Sequence, residues 1–276
     1  MDRIIDWNEL WKLHYAASPE RARRDRDPGA AWDRRAGAYG AMTQNTLQVA
    51  EQEVGYMDLR PTDTILDMGA GDGRLSVPLA RRVARVTALD PSAAMLRQLG
   101  ERMQAAGLAN FQTVQARWED AVVGRDVDVH DVAVAAYSLG FFDLAAALRK
   151  LDAAVRRAVY LFWRAGRWRS EEERDLQEAV FGKGGEAAGY PDYLFIANVL
   201  HQMGICASAR VYEADWSMAY SSPDQAAAHW AQMHDAPADA KEIIRKHFTR
   251  ILEPDGTGGF HHTVHRRQAM VWWTKD

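Results

Sequence analysis

The sequence predicts an α/β protein: one open sheet of seven strands, mostly parallel, with helices in the connections. Three observations carry this reading. Residues 64–68 form a short β-prone run that enters a tight glycine turn, Gly69-Ala70-Gly71-Asp72-Gly73, and an apolar helical pattern follows. Strand-like runs at 84–89, 111–115, 131–137 and 158–163 then alternate with helical stripes, the rhythm of a parallel sheet. Past residue 207 two longer runs, 207–218 and 260–274, alternate apolar and polar residues and read as a final antiparallel pair.

Taken in order, residues 1–60 read as an N-terminal helical cap and 61–276 as the main domain. Asp6-Trp7-Asn8-Glu9 has the spacing of a helix start, and Trp7, Leu10, Trp11, His14 and Tyr15 then share a face. That face either packs on the main domain or a second subunit, or roofs a site with His14 or Tyr15 toward substrate. Residues 18–29 are polar, with arginines and aspartates interleaved, and read as a mobile loop. Residues 46–54 continue as a helix, and Pro61 ends the cap.

After the glycine turn, 75–83 is the first helix, with Pro78 in its opening turn, where a missing N–H costs little. Pro91-Ser92 opens the next helix, whose buried stripe is Met95, Leu96, Leu99 and Met103. Leu144, Leu148, Leu151 and Val155 mark the helix after the fourth strand. An insertion follows the fifth strand at about 165–189. Within it Ser170-Glu171-Glu172-Glu173 is a capping box, and the helix should stop near Gly182-Lys183-Gly184-Gly185. Strand C-termini in open α/β sheets face the ligand crevice, so this insertion reads as a substrate lid. A helix at 190–203, the strand 207–218, a helix opened by Ser222-Pro223-Asp224-Gln225, another at 238–252 and the last strand complete the chain.

Composition narrows the function. The hydrophobic fraction of 47% and charged fraction of 26% are those of a soluble globular protein. No apolar run approaches a membrane span, and the N-terminus lacks a signal-peptide core. A single cysteine, Cys206, excludes an internal disulfide and cysteine-rich metal sites, and suits a cytoplasmic protein. A formal charge of −4 argues against a nucleic-acid substrate. His261, His262 and His265 invite a metal reading, but in a strand His261 and His265 share one face and His262 points away. They read as surface or packing, with no metal.

The glycine turn carries the chemistry. Backbone N–H groups at such a strand–turn–helix junction aim at whatever lies over the helix start. A dinucleotide fold wants G-x-G-x-x-G; here the glycines are Gly69-x-Gly71-x-Gly73, and an acid, Asp67, precedes them by two residues. A carboxylate there suits a ligand with a cationic amino group and would repel a pyrophosphate. Asp90 closes the second strand about twenty residues on, where one carboxylate can accept from both hydroxyls of a ribose. The third strand runs into Ala116-Arg117-Trp118-Glu119-Asp120, and the fourth ends in Tyr137-Ser138-Leu139-Gly140.

These four elements together resemble the class I S-adenosylmethionine-dependent methyltransferases, whose first motif is acid-x-Gly-x-Gly-x-Gly. Trp32-Asp33-x-x-Ala36-x-x-Tyr39 is similar to the cap of many of its small-molecule members. The resemblance implies a Rossmann-like sheet of order 3-2-1-4-5-7-6 with an antiparallel last strand, and S-adenosylmethionine as cofactor. It assigns cofactor contacts to Tyr39, Asp67, Gly69, Ala70, Gly71, Asp90, Pro91, Met95, Arg117, Trp118, Glu119, Tyr137 and Ser138. At Arg117 the family often has Asp instead. The implied activity is methyl transfer to O, N, S or C of a small metabolite, akin to quinone and biotin-precursor methylation.

Transfer from a sulfonium is an in-line displacement, so the protein must align a nucleophile, exclude water and surround the charge with aromatic faces. Tyr137, Ser138, Phe141 and Phe142 are placed for this. If a base is needed, Tyr137, His14, His201 and Asp143 are the candidates. The chain lacks the Asn/Asp-Pro-Pro-aromatic sequence used on exocyclic base amines and the Pro-Cys pair of cytosine C5 chemistry. Two other readings stand beside this one: a cofactor-binding protein without turnover, and an RNA or protein methyltransferase acting with a partner. A monomer or homodimer is expected.

Overall fold

In the computed structural model, which describes residues 5–17, 26–43, 45–166, 169–182 and 191–275, one mixed sheet runs through the molecule. Three helices precede it: α1 (Trp7–Ala16), α2 (Pro28–Thr43) and α3 (Leu47–Gly55). Then come β1 (Thr64–Met68), α4 (Ser76–Ala80), β2 (Arg85–Asp90), α5 (Ala93–Ala105) and β3 (Phe111–Gln115). The second half holds β4 (His130–Ala136), α6 (Leu144–Ala153), β5 (Val155–Arg164), α7 (Glu171–Phe181) and α8 (Tyr193–Gln202). It ends with β6 (Ser208–Tyr220), α9 (Pro223–His234), α10 (Lys241–Ile251), β7 (Glu253–Pro254) and β8 (Phe260–Thr274).

The sheet order is β3-β2-β1-β4-β5-β8-β6, with the two-residue β7 paired on β8. Counting the long strands alone, this is the predicted 3-2-1-4-5-7-6. β1 to β5 pair in parallel, and β8 is antiparallel to both β5 and β6. The central strands are continuous apolar runs because both faces are covered: Ile65 and Leu66 of β1 and Val132 to Ala135 of β4 are fully buried. One face packs on Leu144, Leu148 and Leu151 of α6 and Val199 and Leu200 of α8. The other packs on Val49 and Val54 of α3, Leu79 of α4, and Leu99 and Met103 of α5. Each such side chain contributes about 1.5–3 kcal/mol when fully buried.

The β6–β8 pair outgrows the sheet. Pairing of β5 with β8 stops at Arg164↔Gln268, whereas β6 and β8 remain paired from Glu213↔Arg267 to Tyr220↔Phe260. This two-stranded ribbon therefore projects past the C-terminal ends of β4 and β5. A third cluster, Leu176 of α7 with Ala226, Ala227, Ile244 and Phe248 of α9 and α10, packs against Tyr220 and Phe260 at its tip.

Several boundaries differ from the sequence reading, each for a local reason. The first helix after the glycine turn was expected over 75–83 but spans Ser76–Ala80, because Leu75 offers no capping side chain and the chain turns at Arg82 N–H to Leu79 O. Val155 is not part of the α6 stripe: the Ala154 N–H closes α6 on Lys150 to Asp152, and Val155 begins β5 beside His130. Asp192 caps α8, so that helix begins at Tyr193, and the pattern at 238–252 divides into a 3-10 turn and α10. On α1, Trp11 and Tyr15 are buried but Leu10 is 38% exposed. The capping box at Ser170 and Glu173 forms, and Gly182 closes α7. Residues 167–168 and 183–189 of the expected lid, and 18–25 of the expected loop, lie outside the described residues, while Pro28 and Gly29 belong to α2.

Gly69 has φ +74°, and a Cβ built on it lies 2.3 Å from the Ser138 Cβ. Gly69→Ala should therefore combine left-handed strain with overpacking, each about 1–3 kcal/mol. The expected outcome is a fall in Tm of roughly 5–10 °C, read by thermal unfolding.

Candidate functional site

The C-terminal ends of β1, β2 and β4 converge on the glycine turn. The Gly69 and Ala70 N–H groups donate to Leu89 O of β2, at 2.8 and 3.0 Å. The Gly71 N–H donates to Asp90 Oδ2 at 2.9 Å, and the Ser92 N–H to Asp90 Oδ1 at 2.8 Å. Gly69, Gly71 and Gly73 all have positive φ. At Gly69 and Gly73 a Cβ would strike Ser138 or Leu99, so those glycines permit the loop after β4 and helix α5 to approach. At Gly71 a Cβ would meet only the Tyr39 ring, at 3.7 Å. The Tyr39 ring therefore lies in contact range over the turn at Gly71.

Three buried carboxylates surround this turn. Asp67 accepts from Ser76 Oγ at 2.5 Å, and burial pushes its pKa up to about 6. Burial likewise lifts Asp90 to about 6, despite its two backbone donors. Asp72, also raised by burial, takes Thr43 Oγ1 and an ion pair with Arg102 at 2.7 Å, while its Oδ1 has no hydrogen-bond partner. The donor set fits a cationic ligand bearing vicinal hydroxyls. It does not fit a polyphosphate.

Helix α2 covers this region from the N-terminal segment. Asp33 accepts from Ser92 Oγ at 2.6 Å and from the Ala94 N–H at 2.9 Å, so α2 caps α5 in place of solvent. Gly29 leaves room for Pro91 O, which would lie 2.7 Å from a Cβ there. Tyr39 lies edge-on to Trp32, ring centroids 5.7 Å apart, and Met95 of α5 is buried.

The other predicted residues have varied placements. Ala116 N–H donates to Asp90 O at 3.2 Å, which brings the third-strand loop to the crevice. Arg117 pairs with Glu119 at 3.2 Å on its surface. Trp118 is buried against α6: its indole N–H donates to Ala147 O at 3.1 Å and Lys150 Nζ lies 4.7 Å above its ring. Ser138 Oγ donates to Met68 O at 2.7 Å. Tyr137 has φ +56°, and its hydroxyl donates to Glu53 Oε1 at 3.1 Å; burial, then Glu53, raises its pKa well above the ordinary phenol value. A phenol so placed is a poor base. Phe141 is buried and its carbonyl accepts from the Trp11 indole, whereas Phe142 is 53% exposed and packs on Tyr15.

The remaining base candidates lie on the α1–α6–α8 side. Asp143 caps α6 through the Ala146 N–H at 2.9 Å and pairs with Lys12 at 3.0 Å. The His14 ring meets Phe195 edge-on, and His201 is exposed in the last turn of α8. On the ribbon, His265 Nδ1 lies 2.6 Å from Asp215 Oδ1, and His261 lies 3.5 Å from Glu253. Among the described residues no three potential metal ligands cluster.

One group of residues escaped the sequence reading. Glu53 of α3, fully buried, pairs with Arg74 at 2.6 Å and accepts from the Tyr212 hydroxyl at 2.8 Å as well as from Tyr137. Arg74 lies 5.6 Å from the Tyr137 ring centre and 5.2 Å from that of Trp216. Gln268, in the amide orientation that satisfies both its ends, donates to Glu53 and Tyr212 and accepts from the Trp216 indole. A sequence signal existed: Glu53 interrupts the apolar stripe Val49, Ala50 and Val54 on the buried face of α3.

Comparison with known proteins decides the class. Residues 65–158, from β1 to the start of β5, match the family model described as a methyltransferase domain. This stretch of the chain is an S-adenosylmethionine-dependent methyltransferase domain. Along its whole length it is 28% identical to an uncharacterized protein of Haemophilus influenzae, over 99% of this chain and 97% of that one. A ribosomal RNA small subunit methyltransferase A of Thermotoga neapolitana is 33% identical over 32% of each chain. Among solved structures, the BH2331 protein of Bacillus halodurans aligns with TM-score 0.55 at 11% identity, covering 83% of this chain and 99% of that one. The YcgJ protein of Bacillus subtilis aligns with TM-score 0.51 at 15% identity, covering 85% and 97%. These two likenesses concern the fold. No helix among the described residues is long and apolar enough to cross a membrane.

Asp67 provides a test of the site's electrostatics. Its pKa is about 6 when folded and near 3.8 unfolded, so the folded state binds the proton more tightly. The stabilisation this gives is complete below pH 4 and is lost as pH rises through 6, up to about 2–3 kcal/mol. Asp67→Asn should flatten that part of the cofactor-free stability profile, with Tm rising relative to the native chain at pH 8 and not at pH 4. Thermal unfolding at the two pH values checks it.

Proposed function

We propose that this methyltransferase transfers a methyl group to O, N, S or C of a small metabolite. The observation that carries the reading is the positive-φ glycine turn at Gly69, Gly71 and Gly73, which gathers the buried carboxylates Asp67, Asp72 and Asp90 beneath Tyr39 and α2. In this reading Asp90 accepts from the ribose hydroxyls, and Gly69, Ala70 and Gly71 present backbone to the methionine part. Asp67 and Tyr39 lie toward the amino and carboxylate end. Pro91 and Met95 border the nucleoside, with Arg117, Trp118 and Glu119 at the adenine loop, although the Trp118 ring already packs on α6 and leaves mainly its backbone for contact.

Bound S-adenosylmethionine supplies the electrophilic methyl group. The chain's own work is to orient the acceptor and exclude water. Ser138 and Tyr137 form the floor at the end of β4, and the tryptophan-bearing ribbon and α2 form walls. The Tyr137 hydroxyl is engaged by Glu53, which favours acceptors that deprotonate readily. A small acceptor is supported by the formal charge of −4 and by aromatic walls at Trp32, Tyr39 and Trp216. In this reading residues 1–60 are the helical cap and 61–276 the methyltransferase domain, with α3 of the cap sharing the core of the second part.

Calorimetric titration with S-adenosylmethionine and S-adenosylhomocysteine tests the cofactor half. Micromolar binding is expected, and Asp90→Ala should weaken it more than tenfold; native affinity in that variant would remove Asp90 from the site. Because the ribose needs an ionised acceptor and Asp90 titrates at about 6, affinity should fall progressively below pH 6 and be flat above pH 7. Methyl transfer to no member of a broad metabolite panel, with tight cofactor binding, would favour a binding protein without turnover.

A further inference from the structure

Both lips of the crevice lead back to one carboxylate. Arg74 follows Gly73 directly, so the glycine turn ends on a guanidinium that Glu53 holds at 2.6 Å. Tyr137 ends β4, and its hydroxyl also reaches Glu53. Its backbone is left-handed although it is not glycine, a conformation that persists only where the surroundings over-determine it. The next residue, Ser138, holds Met68 O and fills the space that a Cβ at Gly69 would need. Behind Glu53, Tyr212 and Gln268 complete its donors from the β6–β8 ribbon.

We infer that Glu53 is a positioning residue of the cofactor crevice, holding the glycine turn through Arg74 and the end of β4 through Tyr137. The inference rests on the cofactor reading above. It makes α3 part of the site's machinery: undocking that helix would release the turn and the β4 loop together. A pair that served stability alone would behave differently. Buried ion pairs can be exchanged for apolar residues of similar volume without loss of stability, whereas removing one partner strands the other charge.

The double variant Glu53→Leu/Arg74→Met separates the two roles. Thermal unfolding should show it closer to the native Tm than either single variant, while S-adenosylhomocysteine binding by calorimetry falls at least tenfold. Arg74 lies next to the turn, so a second variant removes a donor from behind: Tyr212→Phe strands no charge. It should keep its Tm within a few degrees and bind S-adenosylhomocysteine at least threefold more weakly. Should the double variant fail to fold, Tyr212→Phe decides alone. Native affinity in Tyr212→Phe overturns the inference while leaving the cofactor reading intact. A native chain that binds no S-adenosylhomocysteine overturns the cofactor reading first, and this inference with it.

Discussion

Between Gly69 and the loop after β4 there is no room for a side-chain carbon, and between Gly73 and Leu99 of α5 there is hardly more. This close approach is the constraint on which the rest of the crevice depends. It lets Gly69 and Ala70 share the Leu89 carbonyl, which fixes the end of β1 against β2 and aims the Gly71 N–H at Asp90. Once that turn is fixed, the strand ends of β1, β2 and β4 lie within one ligand's reach. Of the three glycines of the turn, Gly71 is the one where a Cβ would meet no atom closer than 3.7 Å, the nearest being the Tyr39 ring.

Such closeness brings a charge problem with it. Asp67, Asp72 and Asp90 are all buried near the turn, and burial raises the pKa of each. Arg102 offsets Asp72 directly, while Arg74 is claimed by Glu53. For Arg74 burial works against the charge, and the Glu53 carboxylate outweighs it, so its pKa ends above the ordinary arginine value. Gathering three buried carboxylates therefore carries a cost that a cationic, hydroxyl-bearing ligand would relieve. Stability and binding are set against each other at the same three carboxylates, the usual arrangement where a site is organised before its ligand arrives.

What could be read from the sequence follows from how local each signal is. The glycine turn, Asp90 at the end of β2 and the capping box at Ser170 are short patterns whose geometry is set within a few residues, and all appear where expected, whereas the strand order follows from the family resemblance. Long-range pairing is different. Nothing near Glu53 announces Arg74, Tyr137, Tyr212 and Gln268 as partners, since these come together only when α3 docks on the finished sheet. Asp143 shows the converse: it looks like a free acid in the fourth-strand loop, yet α6 and Lys12 use its oxygens. Val155 was assigned to a helix because its i+4 spacing from Leu151 fits one, and the sheet overrode that spacing by pairing it with His130.

The roof of the crevice is likewise a product of distant segments. Arg35 of α2 is buried and donates to Met233 O at 3.1 Å and to the Asp235 carboxylate, which lies just past α9 with φ +51°. Gln232 reaches back to Arg34 O. The N-terminal helix that bears Trp32 and Tyr39 is thereby fastened to the C-terminal helices, and these rest on the tip of the β6–β8 ribbon through Tyr220, Phe260 and Phe248. The glycine turn supplies one wall of the proposed site, and segments from the two halves of the chain supply the others. Water is excluded from a reaction only if such walls stay together, and in the proposed site the buried Arg35 contacts are what fasten α2 to the end of α9.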